Sequence, residues 1–136
     1  MAVLADKKVV GGQFENGTSI VKVIYDFAND TGAVADYDVL VAEGKCIVEC
    51  LYLHVETEVD SAADGTVLDL GKGAGGAQFF SDLAESALGA EAINHPVYAS
   101  KMVELTAGEK IVLGIETEAA TSGKFHMVFE IRNKSF

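Results

Sequence analysis

With 136 residues the chain has room for one ordinary domain, and a domain of that length buries roughly two-thirds of its extended surface without needing staples. Apolar residues make up 49 % of the chain and the formal charge is −11, from 21 acidic against 10 basic residues. This excludes a disordered polar chain and argues against direct binding to phosphate backbones or anionic lipid.

The opening, MAVLADKKVVGGQFENG, has no apolar stretch before a cleavage site, and no apolar run approaches the ~20 residues that cross a bilayer. A soluble protein made in a reducing cytoplasm is expected, with no nucleic acid and no membrane among its partners. Residues 1–18 read as an extended arm and 19–136 as a single all-β domain, an antiparallel β-sandwich with one short helix.

Period-two alternation carries the strand assignments. In SIVKVIYDF, Val21, Val23, Tyr25 and Phe27 share one face, with Lys22 and Asp26 on the other. YDVLV supplies a short strand. The run from Lys45 to Val59 is a longer one, with Ile47, Leu51, Leu53 and Val55 on its core face; Glu49 interrupts that stripe and predicts a bulge or edge nearby. TVLDL and KMVEL are two further short strands. In KIVLGIETE, Ile111, Leu113 and Ile115 lie opposite Val112, Gly114 and Glu116; in KFHMVFEIR, Phe125, Met127, Phe129 and Ile131 lie opposite Lys124, His126, Glu130 and Arg132. The turns NDTG, AEGK, SAADG, TAGEK and TSGK separate these segments. The last three strands are expected to form two successive hairpins, an antiparallel meander. Between TVLDL and KMVEL, the positions Phe79, Phe80, Leu83, Ala84, Ala87 and Leu88 follow helical spacing and end at Gly89, which predicts a helix over residues 78–88.

The candidate chemistry fails on spacing or context, so no catalytic residue, cofactor or metal is expected. Gly71, Gly73 and Gly76 match G-x-G-x-x-G, but a dinucleotide site needs a parallel sheet of βαβ units, and Gly73 stands where a P-loop needs Ser or Thr after its lysine. The acidic turn 60–65 lacks calcium-loop spacing, with Ala62 at the second ligand position and Gly71 in place of the closing Glu. His54 and His126 are strand residues that can meet across a sheet near Glu56 or Glu130; a cupin-like enzyme would need them to converge with a carboxylate on one metal. Cys46 and Cys50 lie roughly 13 Å apart along one strand, beyond disulfide reach, and Cys50 is as far from His54. A carbohydrate- or host-surface-binding sandwich, as in a head or tail appendage, is the alternative reading, with Tyr37, Tyr52 or Tyr98 as its exposed aromatics.

The order of features resembles a known family. A polar arm leads into SIVKVIYDF; DGTVLDLG follows an acidic turn; AGGAQFFSDLAES is a Gly-rich insertion; and the chain closes on L-x-A-G-E-x-I-x-L and T-S-G-K-x-x-x-x-x-E. Over residues 19–27, 65–88 and 105–131 this is similar to the jelly-roll decoration, or cement, proteins of tailed-phage heads. The resemblance implies a virion structural protein on the capsid exterior, bound to the major capsid protein and stabilising contacts between its subunits. It implies a homo-oligomer, a trimer ahead of a dimer, and no catalysis. On this reading the arm residues Lys7, Lys8 and Phe14 are the partner-binding candidates, a strap onto a neighbouring subunit.

Overall fold

The computed structural model describes residues 2–11, 17–96 and 102–133. Its elements are β1 (Ala2–Val10), β2 (Thr18–Asp26), α1 (Phe27–Asp30), β3 (Ala35–Ala42), β4 (Cys46–Ser61), β5 (Val67–Lys72), β6 (Phe80–Ala84), a 3₁₀ turn (Glu85–Ala87), β7 (Ile93–Asn94), β8 (Met102–Leu105), β9 (Lys110–Glu116) and β10 (Ala120–Asn133). One sheet runs β1-β3-β9-β5-β6. The other runs β2-β10-β4-β7, with β8 also paired to β4. All the pairings are antiparallel except β1 with β3. From β2 onward the chain passes back and forth between the sheets, so each sheet interleaves early and late strands. That is a jelly roll.

This wrapping corrects the expected meander. β8 pairs β4, β9 lies between β3 and β5, and β10 lies between β2 and β4. The turns TAGEK and ETEAAT therefore carry the chain from one sheet to the other, although their composition is that of hairpin turns. The first is tightened by Glu109, whose Oε1 accepts from the Thr106 N–H and hydroxyl at 2.8 and 2.7 Å.

The alternating faces fold as the pattern demands. Val23, Tyr25, Phe125, Met127, Phe129 and Ile131 turn inward from the second sheet; Tyr37, Leu68, Leu70, Ile111, Leu113 and Ile115 turn inward from the first. Full burial of such side chains contributes roughly 1.5–3 kcal/mol each. Tyr25 stacks on Phe125 at 4.8 Å and meets Tyr37 edge-on at 6.4 Å, joining the two layers. β4 differs from expectation. Val128 pairs with Tyr52 but Phe129 with Cys50, so Leu51 is the extra residue of a bulge. Before the bulge the inward residues are Cys46, Val48 and Cys50, and after it Leu53 and Val55; Ile47 and Leu51 are only half-buried. The bulge switches the inward parity, and Glu49 lies on the outer side beside Arg132.

The helix expected over residues 78–88 is not there. Phe80–Ala84 is a strand paired with β5, followed by one 3₁₀ turn, and the short helix of the fold is Phe27–Asp30, capped by the Asp26 carboxylate. The Gly-rich turn folds the chain back along β5, whose backbone and Asp69 carboxylate satisfy the N–H groups of Phe79 and Asp82. Phe79, Phe80 and Leu88 still reach the core, but from a strand and its ends.

Within the expected arm, Ala2–Val10 is the edge strand β1. Its register with β3 slips between Val3 and Lys8, where the chain leans toward the second sheet. There the Asp6 carboxylate accepts the Ile24 N–H at 2.8 Å, and Asp30 accepts the N–H groups of Ala5 and Asp26 at 2.7 and 2.9 Å. Carboxylates thus close the seam between β1 and β2 where backbone pairing does not, which blunts both edges.

Candidate functional site

The residues singled out from the sequence scatter over the molecule. Lys7 and Lys8 are exposed on β1, with Lys8 Nζ 2.8 Å from Asp6 Oδ1; Phe14 lies outside the described residues. Cys46 and Cys50 are free and buried in the core, and burial pushes the Cys50 thiol up to about 12. Tyr37 is 2 % exposed with its hydroxyl donating to the Ala33 carbonyl, so it forms no part of an exposed aromatic platform. Tyr52 is 36 % exposed, and Tyr98 lies outside the described residues.

The Gly-rich loop is built for close packing. A Cβ on Gly76 would stand 2.3 Å from the Lys72 carbonyl oxygen and one on Gly71 would stand 2.6 Å from the Ala77 nitrogen, while Gly73 and Gly75 take φ of +74° and +73°. A strand follows the loop, so the helix N-terminus that would face a bound phosphate is not formed there.

Two carboxylate groups assemble from distant segments. Asp60 and Asp64 of the acidic turn come together with Glu85 at an open groove of about 420 Å³. The turn itself is held from outside: Glu118 Oε1 accepts the Ala63 and Gly65 N–H groups at 3.0 and 2.9 Å, and the Ser61 hydroxyl, followed by these two donors, keeps its carboxyl below the usual range. The second group, Asp69, Asp82 and Glu116, lies on the outer face of the first sheet with ligand atoms all within 4.8 Å of one another. Gly114 sits beneath it, and a Cβ there would be 3.2 Å from Asp36 Oδ1 and 3.6 Å from Glu116 Oε1. The hydrogen bond with Asp69, then desolvation and the charges of Asp69, Asp82 and Asp36, hold the Glu116 carboxyl above its ordinary value. No local spacing announced this cluster, because its members come from β5, β6 and β9. The one sequence signal is a glycine inside an otherwise bulky strand, KIVLGIE.

The outer face of the second sheet has a different character. Ile20, Tyr52, Ile93 and Met102, four of the exposed large apolar side chains, all project from it. Several of its polar groups pair: Lys124 and His126 with Glu56, His54 with Glu91, Arg132 with Glu49 and Glu130. His54 and His126 do meet, directly opposite on β4 and β10, with ring centroids 6.0 Å apart. They lie outside the sandwich, whereas a cupin-like centre would need them within it. One face is thus rich in carboxylates, and the other combines exposed apolar groups with ion pairs.

No protein-family model matches the chain, and no curated protein matches it. Solved structures do. A chain in the cyanophage Pam1 capsid asymmetric unit superposes with a TM-score of 0.60 at 17 % identity, over 92 % of this chain and 91 % of that one. A chain in the capsid of Ralstonia phage GP4 superposes with a TM-score of 0.56 at 14 % identity, over 87 % and 86 %. At these identities the likeness establishes the shared fold.

Proposed function

We propose that this chain is a structural protein of a phage virion, bound to the outer surface of the head and stabilising contacts between major capsid protein subunits. The observation that carries the reading is the superposition with chains of two phage capsids, nearly end to end on both sides. Because about nine-tenths of each matched chain is covered, those chains are of this chain's own size. The match is therefore to a whole small jelly roll and not to a fragment of a larger protein.

The physical properties suit the role. A closed two-layer sandwich with carboxylate-capped edges is rigid and resists adventitious strand pairing. A face of exposed apolar groups among paired charges has the composition of a protein-binding surface. The role asks for no catalytic step. A homo-oligomer, a trimer first, fits attachment across several subunits, since multivalent contact converts modest individual affinities into firm binding.

The test mixes purified chain with expanded heads of the cognate phage lacking it, and measures co-sedimentation and head melting. Saturable binding with a raised melting temperature supports the proposal. Absence of binding to heads, with tight binding to a glycan array, overturns it in favour of a ligand-binding sandwich.

A further inference from the structure

We propose that His54 and His126, completed by Glu56, form a surface site for a first-row divalent transition ion of the Zn²⁺ type. The two histidines occupy directly paired positions on β4 and β10, in the longest strand pairing of the fold, so the backbone fixes their separation. Their ring centroids stand 6.0 Å apart and the rings are tilted by 54°. Two imidazoles sharing one ion at Zn–N distances of about 2.0–2.1 Å place their centroids roughly 5–6 Å apart, so the strands can stay in place while the His54 ring turns its nitrogen from Glu91 toward His126.

The surrounding groups favour binding. His126 Nε2 is 3.1 Å from Glu56 Oε2, close to the separation of roughly 3.4 Å between two ligand atoms of a tetrahedral ion. The ion takes the place of the shared proton there. His54 Nε2 contacts Glu91 Oε2 at a longer 3.4 Å, and that carboxylate is 76 % exposed; this is the contact His54 gives up to turn toward the ion. Ile24 pairs with His126 and Ile93 with His54, so the site is walled by apolar residues on both neighbouring strands. Lys124, 3.2 Å from Glu56, is the cation in contact with that carboxylate, and the bound ion displaces it. The side chains of His54 and His126 are 32 % and 21 % exposed, so the fourth coordination position faces solvent. Imidazole nitrogen selects zinc, nickel or copper, whereas the oxygen-only clusters of this chain offer hard ligands that suit magnesium or calcium.

The experiment titrates Zn²⁺ into the full chain by calorimetry at neutral pH with millimolar Mg²⁺ present to occupy the carboxylate clusters. One ion per chain is expected at micromolar affinity, weakening as the pH is lowered because protons compete with the ion for imidazole nitrogen. Glu56, Glu91 and Lys124 are the charged groups in contact with the rings or with Glu56. Groups that only hydrogen-bond to a metal ligand are already worth 10–100-fold in metal affinity, so His54→Ala and His126→Ala should each cost roughly tenfold or more. Glu56→Gln should weaken binding and Glu91→Gln should not. Zn²⁺ should also move the imidazole proton resonances of His54 and His126 in the unaltered chain. Unchanged Zn²⁺ affinity in a folded His54→Ala/His126→Ala double variant overturns the proposal, as do unmoved His54 and His126 resonances at saturating Zn²⁺.

Discussion

Removing one charge from the cluster on the first sheet should stabilise the protein. Glu116, Asp69 and Asp82 hold carboxylate oxygens within 4.8 Å of one another. At that distance two unit charges repel by about 0.9 kcal/mol in bulk water and about 3.5 kcal/mol at an effective dielectric constant of 20. Glu116 is half-buried at the surface, so screening puts the net cost near the lower figure for each neighbour. Glu116→Gln should therefore raise stability at pH 7 by about 1–2 kcal/mol, with the new amide able to donate to Asp69. For a chain of this length that is roughly 3–8 °C in melting temperature. The pH dependence has a fixed sign. The folded Glu116 carboxyl titrates above its unfolded value, so its favourable contribution is complete below the unfolded value and is lost as pH rises through the folded one. Urea unfolding followed by circular dichroism at pH 7 and pH 4 measures both effects. The gain should be present at pH 7, shrink in high salt and vanish near pH 4. A Gln variant less stable than the parent at pH 7, or a gain equal at both pH values, refutes the reasoning.

Other expectations follow from single residues. Asp30→Ala strands the N–H groups of Ala5 and Asp26 and should cost about 2–4 kcal/mol, with amide exchange accelerating first at those two positions. Gly76→Ala drives a Cβ into the Lys72 carbonyl and should cost about 2–4 kcal/mol by the same denaturation assay, while Gly89→Ala, with open space around it, should stay within about 0.5 kcal/mol. Cys46 and Cys50 should resist a thiol reagent such as Ellman's until denaturant is added, since both are buried and both thiols are pushed up by desolvation.

Local order was legible in the sequence because it is written residue by residue. Alternation identified β2, β3, β5, β8, β9 and β10 and the inward faces of β9 and β10, since a half-buried strand must alternate to keep its polar side wet. In β4 the same reasoning put Ile47 and Leu51 inward; the bulge at Leu51 gave those places to Cys46, Val48 and Cys50. A bulge is set by the partner strand, and β10 lies some seventy residues further along the chain.

Pairing was the part that only the tertiary structure decided. TAGEK reads as a hairpin turn whether the next strand returns to the same sheet or crosses to the other, because both routes need the same polar, tightly bonded corner. Residues 78–88 show helical spacing, but β5 offered them a strand edge and the Asp69 carboxylate, and those bonds outweighed a weak local preference. The Asp69–Asp82–Glu116 cluster and the facing of His54 and His126 arise the same way, from strands far apart in sequence lying side by side. The alternating residues determined that this chain would make sheets with one buried face each. Which strands became neighbours, and so which polar groups share a surface, was set by how two five-stranded layers close over a common core.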